Sequence, residues 1–125
     1  MPHPPPIQYE RDDGRHRALI TITGPFNASD VRACLEQHRA EGAWSYGLLY
    51  DLRRMTSEPT RETLAEFAAL TKPRPVEPPR GPVAVVSTSP VMYVSACLYA
   101  AMVRAHTTVS IFRDRDEADA WLNQK

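Results

Sequence analysis

One polar segment of this chain combines a carboxylate, two guanidinium groups and several hydroxyls. Asp51 closes an apolar stretch, and Arg53 and Arg54 follow it closely. Ser57 and Thr60 then lead into a helical pattern. Guanidinium groups and the free N–H groups at a helix start both favour a phosphate or a carboxylate. The segment is therefore a candidate anion-binding or ligand-binding site, with Asp51, Arg53 and Arg54 as its charged members.

A second polar segment has the same position relative to its own strand. Ser87, Thr88 and Ser89 follow the apolar residues 83–86, which are typical of a buried parallel strand. Strand-to-helix turns of a parallel sheet meet at one edge, so we expect both segments to contribute to one ligand-binding edge. Helix capping is the simpler explanation, because Ser, Thr and Asp are favoured at helix starts in any protein.

Catalytic motifs are missing from the sequence. It contains no G-x-S-x-G, no H-E-x-x-H, no G-x-G-x-x-G and no P-loop. We therefore expect no enzymatic activity, no cofactor and no metal. One enzymatic alternative stays open, in which a hydroxyl at the sheet edge pairs in space with His38 or His106.

Composition limits the class of protein further. The chain has 125 residues, with 15 basic and 15 acidic side chains. Zero net charge provides no field that attracts nucleic acid, and no apolar run approaches the ~20 residues that insert stably into a bilayer. Cys34 and Cys97 belong to no CxxC pair and indicate a reducing compartment, so we expect a cytoplasmic protein.

The apolar pattern predicts one α/β domain over residues 7–125, after a flexible Pro-rich tail at residues 1–6. The predicted order is β-β-α-β-α-β-α-β-α, with a mixed, mostly parallel sheet of about five strands and about four helices. The first two strands form an antiparallel hairpin across Asp13-Gly14, and Asn27 caps the first helix.

The helix predicted at residues 91–103 is apolar nearly all round, with Tyr93 and Tyr99 as its polar tips. One face packs on the sheet, and the other face must also be covered. A second copy of the chain is one candidate cover, and Tyr93, Tyr99 and Met102 are then the expected dimer residues. The N-terminal tail and the Pro-rich loop at residues 72–82 are the alternatives.

Two sequence runs and the order of predicted elements form a recognisable pattern. The runs are LYDLR at residues 49–53 and VSIFRDRDEADAWL at residues 109–122. This pattern resembles the SpoIIAA-like group of STAS domains, which is related to the Sec14-type lipid-binding fold. The resemblance covers residues 7–122 and implies an architecture more than an active site.

The resemblance also implies a candidate phosphorylation site. STAS domains of the anti-sigma-factor antagonist type carry an Asp at the end of the central strand. A second Asp and a phosphorylatable Ser follow at the start of the next helix. Asp51 matches the first Asp, Thr60 falls at the acceptor position, and Pro59 replaces the second Asp. Thr60 is therefore the expected phospho-acceptor, with Ser57 as a second candidate.

Together these observations predict a non-enzymatic regulatory or protein-interaction module, with a protein partner and a homodimeric assembly. An alternative from another class is a carrier for a small apolar or anionic ligand or for a lipid, as the Sec14-type relation implies.

Overall fold

The computed structural model describes residues 6–125. The expected Pro-rich tail therefore lies outside the described residues, apart from Pro6. The elements follow the predicted order and have these bounds: β1 Ile7–Asp12, β2 Arg17–Ile22, α1 Ala28–Ala40, β3 Gly47–Asp51, α2 Arg61–Leu70, β4 Val83–Val86, α3 Pro90–Val103, β5 Val109–Phe112 and α4 Arg115–Asn123.

The five strands form one sheet in the order β1-β2-β3-β4-β5. β1 is antiparallel to β2, and each later strand is parallel to the strand before it. Apolar runs without polar alternation are typical of strands buried on both faces, and all four side chains of β4 are buried. The predicted mixed, mostly parallel α/β fold is confirmed.

The sequential strand order decides which face of the sheet each helix covers. Right-handed crossovers that always advance in one direction put α1, α2 and α3 on the same face. There, Ile20, Tyr50 and Val85 pack in one core with residues of these three helices. On the opposite face, Leu49 and Val86 pack with α4. Within residues 6–125, one face of the sheet is thus covered by three helices and the other by α4 alone.

The helix starts follow from local sequence. The Asn27 side chain accepts a hydrogen bond of 2.9 Å from the backbone N–H of Asp30. The Asp30 carboxylate accepts one of 3.1 Å from the backbone N–H of Asn27, which completes a capping box. Ser89 caps α3, with Pro90 at its first position, where the missing N–H of proline costs nothing. The predicted cap at Asn27 is confirmed.

The loop between α2 and β4 is anchored by a glycine. The Gly81 N–H donates to the Trp44 carbonyl at 3.0 Å, and the Thr107 hydroxyl donates to the Gly81 carbonyl at 2.7 Å. A Cβ atom at Gly81 would lie 2.1 Å from the Tyr46 carbonyl oxygen. Only glycine allows this close approach, which holds the neighbouring Arg80 inside the fold.

None of the helices in residues 6–125 combines the length and the apolar character that a membrane span requires.

Candidate functional site

A bidentate ion pair lies at the end of β3. The Arg53 side chain donates to the two carboxylate oxygens of Asp51 at 2.9 Å and 2.8 Å, and the Arg53 backbone N–H adds a third bond of 3.2 Å. Asp51 is buried, whereas Arg53 is exposed. The hydrogen bond from Arg53 is the main cause that lowers the pKa of Asp51, against the opposing effect of burial. Asp51 therefore compensates the charge of Arg53 and holds its Nε and Nη2 atoms.

The other residues of the predicted edge have different environments. Ser87 is buried, and its hydroxyl has no hydrogen-bond partner within residues 6–125. Ser89 uses its hydroxyl to cap α3, and Thr88 and Arg54 are exposed. Backbone bonds from Leu52 to Val86 and from Ser87 to Phe112 place the strand ends side by side. The ends of β3, β4 and β5 are therefore adjacent, and helix capping and the ion pair already use several of the polar groups there.

The expected phospho-acceptor caps a helix. The Thr60 hydroxyl accepts a hydrogen bond of 3.1 Å from the Thr63 backbone N–H at the start of α2. Thr60 and Ser57 are both exposed, and both line a surface cavity of about 120 Å³ together with Pro59 and Phe26. Both hydroxyls are accessible to solvent. Thr60 is the N-cap of α2 and therefore lies at the positive end of the helix dipole.

The three expected dimer residues do not share one face of α3. Tyr93 is exposed and Met102 is half-buried, but Tyr99 is only 3% exposed. Its ring stacks on Phe67 at a centroid distance of 4.9 Å. The expectation that Tyr99 is a polar tip on the helix surface is wrong, because this residue lies on the face of α3 that packs on the sheet.

The enzymatic alternative has no geometric support in the structure. His38, near the end of α1, is buried, and its Nδ1 atom lies 2.8 Å from the Tyr9 hydroxyl oxygen. Burial is the main cause that lowers its pKa to about 4. His106 follows α3. Both histidines therefore lie near the amino-terminal ends of the parallel strands, whereas Ser87 and Thr60 follow the carboxyl ends of their strands. Within residues 6–125, no three His, Cys, Asp or Glu side chains are grouped as a metal site.

One buried polar residue escaped the sequence reasoning. Arg80 lies at the end of the Pro-rich loop and is 9% exposed, with Nη2 donating to the Tyr50 hydroxyl at 3.0 Å. Tyr50 and Tyr99 also line an apolar cavity of about 40 Å³ between α2, α3 and the sheet. One sequence feature could have indicated that Arg80 is buried. It directly precedes Gly81-Pro82 and the fully apolar residues 83–86, where the chain returns to the core.

The fold is that of a SpoIIAA-like α/β domain, as two solved structures show. A crystal structure of an anti-sigma factor antagonist from Mycobacterium paratuberculosis matches 93% of this chain and 92% of that chain, with 19% identity and a TM-score of 0.60. An uncharacterized DUF3478-family protein with a SpoIIAA-like fold from Shewanella loihica PV-4 matches over 93% and 91%, with 13% identity and a TM-score of 0.63. No protein-family model and no curated protein matches the chain. The SpoIIAA-like fold predicted from the sequence is confirmed.

Proposed function

We propose that this protein is a non-enzymatic regulatory module that acts by binding other protein chains. The observation that carries the proposal is an exposed apolar stripe on α3, formed by Val91, Val94, Cys97 and Ala101. Val91 is 53% exposed and Val94 is 66% exposed, and Tyr93 flanks them. A contiguous apolar surface of this kind marks an interaction site in a soluble protein. The similarity to an anti-sigma factor antagonist supports the same class of function.

The partner that this stripe fits best is a second copy of the chain. Residues 90–103 contain no charged side chain, so two α3 helices can face each other without burying an unpaired charge. Cys97 and Ala101 are small, which allows the helix backbones to approach closely. Since Cys97 lies near the middle of α3, a two-fold axis that crosses the helices there would bring the two stripes together.

Oligomeric state tests this proposal directly. We expect the native protein to be a dimer in sedimentation equilibrium, and Val94→Lys to shift it to a monomer with unchanged circular dichroism. Ala120→Lys, at an exposed position of α4, is the matched control and should remain dimeric. A short bismaleimide should cross-link native chains through the exposed Cys97 and not through the buried Cys34. A monomeric native protein would contradict the homodimer.

Phosphorylation at Thr60 is the regulatory step that we propose for this module. A phosphate there would lie at the N-terminus of α2, where the helix dipole and free N–H groups favour negative charge. Thr60→Asp should change the affinity for the protein partner, whereas Thr60→Asn, which keeps the cap without an acceptor hydroxyl, should behave as the unmodified protein. Mass spectrometry of protein from its native cells should find phosphate on Thr60 or Ser57. Unmodified residues and equal binding by both variants would exclude the switch.

The geometry favours an interaction module over a lipid carrier. The cavity between α2 and α3 measures about 40 Å³, whereas one water molecule already requires about 10–15 Å³ on the same measure. A lipid chain would enter only if the two helices separated, which would break the contact between Phe67 and Tyr99.

A further inference from the structure

The β1–β2 hairpin and α4 line a surface cavity of about 170 Å³. It lies on the face of the sheet that α4 covers, opposite α1, α2 and α3. Leu19 and Leu49, which are partners in neighbouring strands, give the cavity an apolar part. Most of the other lining side chains are charged. The volume of about 170 Å³ corresponds to roughly a dozen water-sized groups, which is enough for a small organic molecule.

Two acidic side chains of β1 line this cavity. Glu10 lies opposite Leu19 in the strand register, and Asp12 lies opposite Arg17. Neither carboxylate forms an ion pair within residues 6–125. Asp12 accepts a hydrogen bond of 3.2 Å from the backbone N–H of Arg15, which fixes it in the hairpin turn. Glu10 is exposed, and its charge is available to a ligand.

The basic side chains of the cavity come from the hairpin turn, β2 and α4. The Arg17 side chain crosses Gly47, where a Cβ atom would lie 3.2 Å from its Cδ atom. The Asp119 carboxylate lies 3.7 Å from Arg17 Nη1 and 3.8 Å from Arg115 Nε. Both distances are too long for a hydrogen bond. Arg15 has no acidic partner within residues 6–125. One carboxylate is thus shared by two guanidinium groups and forms a charge-assisted hydrogen bond with neither.

The charges of the cavity are balanced but not paired. Arg11 also lines it, but this residue is already paired with Asp13 and Glu41. The remaining charged groups are three acids and three bases: Glu10, Asp12, Asp119, Arg15, Arg17 and Arg115. Burial and the neighbouring Arg15 lower the pKa of Arg17, as expected for a positive charge without full compensation. Such a set is more complementary to a ligand with both charges than to a simple anion or cation.

We propose that this cavity binds a small zwitterion, namely an α-amino acid with a short apolar side chain. The carboxylate of the ligand pairs with Arg15 and Arg115, and its ammonium group pairs with Glu10. The apolar side chain packs on Leu19 and Leu49. Charge-assisted hydrogen bonds at both ends select against molecules that have only one of the two charges. The cavity and α3 are on opposite faces of the sheet, so this site can fail without affecting the proposed function.

Titration of the whole chain with leucine tests the proposal. The readouts in ¹⁵N-NMR spectra, at neutral pH and constant ionic strength, are the backbone N–H signals of Leu19 and Leu49 and the Nε–H signal of Arg115. We expect saturable shifts of all three signals. Two further probes each lack one charge of leucine: 4-methylpentanoate lacks the ammonium group, and isopentylamine lacks the carboxylate. Each should bind at least about tenfold more weakly than leucine.

Variants assign the two ends of the ligand. Glu10→Gln and Arg115→Gln each remove one charge with little change of shape, and each should weaken leucine binding by about tenfold or more. Glu10→Gln should leave the binding of 4-methylpentanoate unchanged, because only an ammonium group pairs with Glu10. Glu66→Gln, at an exposed position of α2, is the matched control and should bind leucine as the native protein does.

The proposal is wrong if leucine causes no saturable shift, because the cavity then contains only solvent. Equal affinity for leucine and 4-methylpentanoate would indicate an anion site in which Glu10 has no part. Native affinity for leucine in both Glu10→Gln and Arg115→Gln would place any binding elsewhere on the protein.

Discussion

Asp51 and Arg53 stabilise the end of the central strand through charge-assisted hydrogen bonds, and the pH dependence of stability should reveal this. The folded state lowers the pKa of Asp51, mainly through the side chain of Arg53. Between the ordinary carboxyl pKa of about 3.9 and this lower value, the unfolded chain binds more protons. The contribution of the pair is therefore complete above the ordinary pKa and is lost as the pH falls through the folded pKa.

We predict that Asp51→Asn lowers the free energy of unfolding at pH 7 by about 1–3 kcal/mol. The difference from the native protein should shrink at the lowest accessible pH, below the ordinary carboxyl pKa of about 3.9, as the native carboxylate also takes up its proton. Urea unfolding at the two pH values measures both quantities. An equal difference at pH 7 and at the lowest accessible pH would show that the ion pair contributes nothing through its charge.

His38 gives a second and separate pH dependence at the residue scale. Burial, with smaller effects of Arg80 and Arg39, lowers its pKa to about 4, against about 6.5 in an unfolded chain. Between these two values the unfolded state binds more protons, so stability is complete above pH 6.5 and falls as the pH decreases towards 4. The loss over this window is on the order of 3 kcal/mol.

We expect His38→Gln, whose amide oxygen can still accept a hydrogen bond from Tyr9, to flatten the dependence of unfolding free energy on pH between 7 and 4.5. His16→Gln, at an exposed position of the hairpin turn, is the control and should keep the native slope. Equal slopes in the native protein and His38→Gln would contradict a buried neutral histidine.

At the scale of elements, α4 differs from the other helices of residues 6–125 in the face that it covers. In this part of the chain, it is the helix that packs on the second face of the sheet, where Ala118 and Leu122 contact Leu49 and Val86. Ala118 is fully buried, whereas Ala120 is exposed on the same helix. The two alanines therefore allow a test of α4 docking with the same substitution at both positions.

We predict that Ala118→Asp destabilises the protein by about 3 kcal/mol or more, because it buries a charge without a partner. Ala120→Asp should change stability by less than about 0.5 kcal/mol. Chemical unfolding, followed by circular dichroism, measures both variants. Similar stabilities would mean that α4 is not docked on the sheet.

For the whole molecule, the prediction of one domain over residues 7–125 implies one cooperative transition. All five strands belong to one sheet, and Tyr50 contacts both α2 and α3 through Phe67 and Tyr99. Calorimetry should therefore find a single peak with an enthalpy of about 80 kcal/mol near 60 °C. If α3 forms the dimer, the melting temperature should also rise with protein concentration. Two separated peaks would contradict the single domain.

The sequence by itself determined the elements and their order, because their signals are local. The apolar run of β4 needs only a few neighbouring residues to indicate a buried strand. Asn27 with Asp30, and Ser89 with Pro90, satisfy helix starts within a single turn. The mostly parallel pairing was predicted as well, since a helix between two strands of one sheet is typical of a right-handed crossover that joins parallel strands.

Only the tertiary structure decided how the candidate site residues are used. α3 is apolar nearly all round, so the periodicity of its sequence does not indicate which face packs on the sheet. For this reason Tyr99 was predicted on the exposed face, although it is buried. Arg53 was expected to be available for an anion, but its bidentate contact with Asp51 depends on side-chain geometry at the strand end. Arg80 is buried because Gly81 packs against Tyr46 and Trp44, which are distant in sequence. Such contacts form only when the whole chain folds, and a local pattern cannot contain them.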